Sequence, residues 1–184
     1  NFKIRHICVF STVKLMNSKK ILVLIGMSGS GKSTIGSLIS KKLKLKFVDT
    51  DREIEKKEKL TISNIFSQKG ENYFRILEEK ITLDLLNSNL KIVSIGGGGF
   101  LNKKIQKKLL NDCFTVWLNW KKTTILNRLK NTKKRPIVNN LNDKQILNLI
   151  VIRSKEYEKA DNKINCENLS KNEIVNKIIK IYEN

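Results

Sequence analysis

Proline, alanine and histidine are nearly missing from this chain of 184 residues: Pro136, Ala160 and His6 are single occurrences. A lone histidine so near the first residue argues against imidazole-based acid–base chemistry. Cysteine occurs three times, at Cys8, Cys113 and Cys166, with no CxxC pair and no metal-type spacing. That excludes a zinc-ligand framework and a disulfide scaffold, and it reads as a chain kept in a reducing compartment. No apolar run approaches the roughly 18 residues that a membrane span requires, so no membrane partner is expected. Internal repeats and Gly/Ser/Pro-rich linkers are also lacking, and the length suits one compact domain with a sizeable core.

Acidic residues are scarce as well. Asp and Glu number 17 against 37 Lys and Arg, a net charge of +20. Two readings are open: a surface that binds a polyanion, or solvated lysine faces inflated by mutational bias. The kind of cation favours the second. Arginine occurs only at positions 5, 52, 75, 128, 135 and 153, while Lys, Asn and Ile, all with A/T-rich codons, are abundant. Aromatic–basic interleaving of the kind that binds single strands is missing, so no nucleic acid is expected as a partner. Under such bias, the surviving Gly, Pro and Arg should mark positions where no other residue serves.

Residues 1–15 contain no acid and read as an extension or disordered tail ahead of a single domain spanning 16–184. The alternative is the end of an acid-poor organelle-targeting peptide, which would place the protein in a plastid rather than the cytoplasm. Short apolar runs at 20–26, 45–51, 90–95, 112–118 and about 163–166 read as strands. Helical periodicity occupies 32–43, 52–68, 71–87, 121–130, 143–160 and 171–182, and a polar loop about 130–142 reads as a lid. Strands alternating with helices predict an α/β fold: a three-layer α/β/α sandwich around a parallel sheet.

What the chain does have is concentrated. "GMSGSGKS" (26–33) fits G-x-x-x-x-G-K-[ST] and lies between a strand and a helix, the context of a P-loop. Its backbone amides, from Gly29 to Thr34, would ring the phosphates of ATP or GTP at a positive helix end. Lys32 would reach the β- and γ-phosphates, and the Ser33 hydroxyl would serve Mg²⁺. Gly36, one turn on, reads as a close-packing residue.

An acceptor site should lie at the carboxyl ends of the same strands. Asp49 and Asp51 end the second strand two residues apart, so an extended chain points both the same way. One could hold Mg²⁺-bound water and the other take or orient a hydroxyl proton. They also suit a helix N-cap, and both roles can coexist. Arg75 precedes Glu78 by three residues, which fits a surface ion pair or, in a lysine-biased chain, a fork that grips an oxyanion. Arg153 admits the same reading. Arg135 in the lid could bring a cation to the transferring group, and Arg128 could stack on adenine or touch phosphate. "SIGGGGF" (94–100) packs four of the nine glycines behind the third strand. Such a run suits a pocket wall without side chains. It predicts that Gly97→Ala damages acceptor binding and spares ATP.

"GMSGSGKSTIG", "FVDTDREIE", "NIFSQKGENYFRILEE", "IVSIGGGGF", "KKRPIV" and "RSKEYEKA" occur in an order and spacing that resembles the shikimate kinase family, from about residue 21 to 182. The resemblance implies an NMP-kinase-like fold, a five-stranded parallel sheet in order 2-3-1-4-5, and a monomer. It implies transfer of the ATP γ-phosphate to the shikimate 3-hydroxyl, with Mg²⁺. Carried onto matching positions, Lys32, Asp51 and Arg135 are catalytic, and Gly29, Ser30, Gly31, Lys32, Ser33, Thr34, Arg128 and Arg135 bind ATP. Asp51, Arg75, Gly96, Gly97, Gly98 and Arg153 bind shikimate; Ser33 and, through water, Asp49 serve the metal. Gly99 is often another small residue in the family. The rival readings are a gluconate-kinase-like enzyme with the same P-loop, and a non-catalytic nucleotide-binding module with a polyanion partner.

Overall fold

The computed structural model describes residues 20–89, 91–131 and 141–184. The expectations for residues 1–15, for Arg135 and for most of the lid lie outside the described residues. The described chain runs β1 (Ile21–Ile25), α1 (Lys32–Leu43), β2 (Phe47–Asp49), α2 (Thr50–Glu58), α3 (Ile62–Leu86), β3 (Ile92–Ser94), α4 (Lys103–Asp112), β4 (Cys113–Asn119), α5 (Lys122–Lys130), α6 (Asp143–Tyr157), β5 (Asn162–Asn165) and α7 (Lys171–Glu183). The strands form one sheet in the order β2-β3-β1-β4-β5, parallel throughout, as expected.

Alternation along the strands splits the core into two layers. Leu22 and Leu24 face α1 and α7, where they meet Ile35, Ile39, Ile174 and Ile178. Val23 and Ile25 face the other way, onto Phe100, Ile105, Leu109, Ile150 and Tyr157. β1 is buried from both sides, which explains its unbroken apolar run. A third cluster, with Ile54, Ile65, Phe74 and Leu77, joins α2 to α3 beside the sheet. Gly36 packs as expected, since a methyl there would overlap the Phe47 ring.

Three boundaries differ from the sequence pattern. β2 stops at Asp49, and Thr50 already opens α2, so Asp49 and Asp51 do not share an extended segment. Periodicity alone ran 52–68 together, but Lys59 leaves the helix in the left-handed region and Thr61 caps the next one, its hydroxyl accepting from the Asn64 amide. The expected break near residue 70 exists as a kink inside α3, where Gly70 takes φ 81° and ψ 168°. Finally, α4 was missed. Its signals were Asn102, whose side chain accepts from the Lys104 and Ile105 amides, and the buried pair Ile105 and Leu109.

Candidate active site

The carboxyl ends of β1, β2 and β3 converge with the first turn of α1. Gly29 (φ 80°) and Gly31 (φ 89°) hold left-handed conformations that only glycine adopts without strain, and Gly31 leads directly into α1. No side chain caps that helix, so its positive end opens onto a cavity of about 180 Å³. Lys32, Ser33, Thr34, Asp49 and Asp51 line this cavity together. The Lys32 ammonium is buried and donates to the carbonyls of Gly26 (2.8 Å) and Met27 (2.9 Å). A second cavity of about 450 Å³ lies behind the loop, with Ile35, Trp120, Arg128, Leu169 and Ile174 among its walls.

Asp49 is the junction of three elements. One carboxylate oxygen accepts from Ser33 of α1 and from Ser94 of β3 at 2.8 Å, and Ser94 is its register partner across the sheet. The other oxygen caps α2, accepting from the amides of Asp51 (3.1 Å) and Arg52 (3.4 Å). The helix-cap reading is therefore realised for Asp49, while the contact with Ser33 keeps it beside the phosphate cavity. Asp51 reaches the same cavity from the first turn of α2 rather than from a strand.

The four glycines after β3 have no left-handed φ among them. Gly96, Gly97 and Gly98 are required for space, not for backbone freedom. A Cβ on Gly96 would stand 2.6 Å from Glu78 Oε1 and 2.7 Å from Asp51 Oδ1; one on Gly98 would stand 2.5 Å from Arg75 Nη1. On Gly97 it would meet the Ser28 amide at 3.0 Å and Arg153 Nη1 at 3.4 Å. Gly97 is thus the seam between acceptor wall and P-loop, so Gly97→Ala presses on both sides and separates them poorly. Gly98→Ala is the cleaner substitution. A methyl there must displace the Arg75 guanidinium, the mobile end of its side chain; losing a charge-assisted contact worth about 1.5–3 kcal/mol should raise KM for the acceptor about ten- to a hundred-fold with KM for ATP nearly unchanged. At Gly99 the nearest atom would lie 3.5 Å away, an ordinary contact, and Gly99→Ala should behave as wild type in the same assay.

Around this wall the charges are paired. Arg75 Nη1 bonds Glu78 at 2.6 Å, and its Nη2 bonds Glu71 at 3.1 Å. The ion pair anticipated as a surface feature is in fact inward: Glu78 is 3% exposed. Burial raises the Glu78 carboxyl above its ordinary value, Arg75 partly offsets this, and the nearby Asp51 adds to it. The guanidinium 2.6 Å away favours the ionised form against that burial. Arg153, 6% exposed on α6, has its Nε buried without a hydrogen-bond partner. One turn on, the Tyr157 hydroxyl donates to the carbonyl of Gly97. Burial pushes that phenol up to about 12, so it remains a donor.

The structure therefore brings together Gly29, Ser30, Gly31, Lys32, Ser33, Thr34, Asp49, Asp51, Arg75, Gly96, Gly97, Gly98, Arg128 and Arg153. Sequence reasoning passed over Tyr157 and Trp120, and it took Glu78 only as a surface partner of Arg75. For Glu78 a signal existed in "FRILE" (74–78), inside a stretch shared with the shikimate kinase family. Cys113 and Cys166 are free, buried thiols raised by desolvation to about 11 and about 12, and take no part. Among the described residues no helix is long and apolar enough to cross a membrane.

The family model for shikimate kinase matches residues 28–183. A shikimate kinase of Persephonella marina is 40% identical over 158 residues, spanning 86% of this chain and 96% of the relative. One from Bacillus subtilis is 35% identical over 178 residues, 90% of this chain and 94% of its own length. Among solved structures, a shikimate kinase from Acinetobacter baumannii in complex with shikimate superposes with a TM-score of 0.85 at 29% identity, covering 91% of this chain and 95% of that one. The Aquifex aeolicus shikimate kinase gives 0.78 at 38% identity, covering 88% and 95%.

Proposed function

The chain belongs to the shikimate kinase family, and on that premise we infer that it transfers the γ-phosphate of ATP to the 3-hydroxyl of shikimate. The shikimate oxygen attacks the γ-phosphorus, the bond to the ADP oxygen breaks, and the hydroxyl proton leaves. Asp51 receives or orients that proton, being the carboxylate that lies both on the phosphate cavity and against the glycine wall. Amides of Gly29 and of Gly31 to Thr34 hold the phosphates, the Ser30 amide being bonded to the Met27 carbonyl, and Lys32 stabilises charge on the β- and γ-phosphates. Arg75 and Arg153 clamp the shikimate carboxylate, with Glu78 fixing the Arg75 fork. Arg128 serves the nucleotide side; Arg135, beyond the described residues, is assigned to the phosphate and acceptor from the lid.

Ser33 and Asp49 suit a Mg²⁺ ion. They offer a hydroxyl and a carboxylate at the mouth of the phosphate cavity, hard oxygen donors already within hydrogen-bonding contact. Among the described residues there is no cluster of three or more metal-ligating side chains. That fits an ion carried by substrate phosphates and water rather than a protein cage. When bound, it would neutralise phosphate charge. The described site residues all come from one chain, which supports a monomer, and the buried free thiols Cys113 and Cys166 are compatible with a cytoplasmic location.

The observation that carries this reading is the side-chain-free wall at Gly96–Gly98, with Asp51 on one flank and Arg75 and Arg153 on the other. A small ring with hydroxyls and a carboxylate meets a complementary group at each end. ADP release measured with shikimate, with gluconate and with no acceptor tests it: turnover should require shikimate. Equal rates with gluconate would overturn the acceptor assignment. Arg75→Lys should raise KM for shikimate about ten- to a hundred-fold with kcat changed far less, because a point charge cannot reproduce a charge-assisted fork. An unchanged KM would remove Arg75 from the clamp.

A further inference from the structure

At the end of β4 the chain places an aromatic ring against the back of the P-loop. The Trp120 indole N–H donates to the carbonyl of Ser30 at 2.9 Å. On its face lies the Arg128 guanidinium, 3.7 Å from a ring centroid, and the same guanidinium donates to the carbonyl of Gly29 at 3.2 Å. Two consecutive P-loop carbonyls are thus held by one stacked pair. Arg128 and Trp120 also line the 450 Å³ cavity, together with Leu169 and Ile174.

Peptide geometry turns this contact into a consequence for the ligand. In a trans peptide the N–H points opposite to the C=O. Holding the Ser30 carbonyl toward the indole therefore directs the Gly31 N–H away from it, at the entrance to α1. The Ser30 N–H is already committed to the Met27 carbonyl at 3.1 Å. Glycines with left-handed φ flank Ser30 on both sides, and the Ser30 hydroxyl is buried without a partner. The indole N–H is thus the side-chain group that fixes this peptide from outside. Meanwhile its π-face pre-places Arg128 at the cavity rim.

We propose that Trp120 is a positioning residue for nucleotide binding, orienting the Ser30–Gly31 peptide through its N–H and the Arg128 guanidinium through its ring. The inference rests on the assignment of the nucleotide to the P-loop and the 450 Å³ cavity. It requires the two functions to be separable: Trp120→Phe keeps a ring for Arg128 but loses the donor, and Trp120→Leu loses both.

The test uses ADP affinity by calorimetry and steady-state kinetics, with thermal melting to establish that each variant is folded. Trp120→Leu should weaken ADP and raise KM for ATP about ten-fold, with KM for shikimate and kcat within about two-fold. Trp120→Phe should fall between it and wild type. Wild-type ADP affinity in Trp120→Leu, or equal damage to KM for both substrates, would overturn the proposal. Leu169→Trp narrows the cavity at another of its lining residues and tests the premise separately. If Leu169→Trp binds ADP as wild type does, the base does not lie there and the premise fails. If it weakens ADP while Trp120→Leu does not, the cavity assignment stands and only the role of Trp120 is lost.

Discussion

Asp51→Asn should lower kcat by about 10²–10⁴-fold, the range that a positioned general base contributes, while the protein stays folded and binds both substrates within a few-fold of wild type. Asparagine is nearly isosteric, so the clearance at Gly96, where a Cβ would already approach Asp51 Oδ1 at 2.7 Å, is not disturbed. The Asp51 backbone amide still donates to Asp49, so the start of α2 is preserved. What disappears is the ability to take a proton. The substitution also removes a like charge that raises the Glu78 carboxyl, so its carboxylate should become easier to keep ionised. The Arg75–Glu78 pair then holds at least as firmly, and no loss in melting temperature is expected. Steady-state ADP release together with a melting curve checks both halves. A kcat within ten-fold of wild type would reduce Asp51 to an orienting role.

The nucleotide half of this site was legible in the sequence because it is local. Eight consecutive residues specify the loop, the turn into α1 and the groups that meet phosphate, with no distant partner needed. The arginine argument has a different basis. In a chain whose cations drift toward lysine, Arg75 bonds Glu71 and Glu78, Arg128 stacks on Trp120, and Arg153 lies buried beside Gly97. Several of the lysines lie at the surface, where Lys103, Lys104 and Lys159 pair with Glu156 or Glu79.

What was not legible depends on contacts far apart in the chain. Glu78 looks like a surface partner of Arg75 until β3 brings Gly96 against it from eighteen positions away. Tyr157 meets Gly97 across a separation of 60, and Trp120 meets Ser30 across 90. No local pattern reports such pairs. The strand-to-helix switch at Asp49 was misread because alternation suits both an extended pair and a cap. Only the Ser33 and Ser94 hydroxyls, supplied by α1 and β3, decide that Asp49 ends the strand and Asp51 belongs to the helix.

Lys32→Ala should be the more severe substitution for ATP, lowering kcat by at least 10²–10³-fold, the effect of deleting one preorganised charge-stabilising donor, and raising KM for ATP as well. The ammonium is buried at the wall of the phosphate cavity and makes two bonds to carbonyls of its own loop, Gly26 at 2.8 Å and Met27 at 2.9 Å. Those bonds hold a cation against a site about to receive several negative charges, so its desolvation is already met before the nucleotide arrives. Alanine removes the charge and leaves the two carbonyls short of a donor, at a cost of about 1–3 kcal/mol to the fold. Lys32→Met keeps the apolar stem and separates packing from charge: it should melt closer to wild type than Lys32→Ala yet be equally inactive. Shikimate binding without nucleotide should survive in both variants, because the wall at Gly96–Gly98 is bounded by Asp51, Glu78, Arg75 and Arg153. Calorimetry with shikimate alone, beside ADP-release kinetics, reads the two halves apart. If shikimate affinity fell in step with kcat, Lys32 would be supporting the whole site rather than its phosphate end.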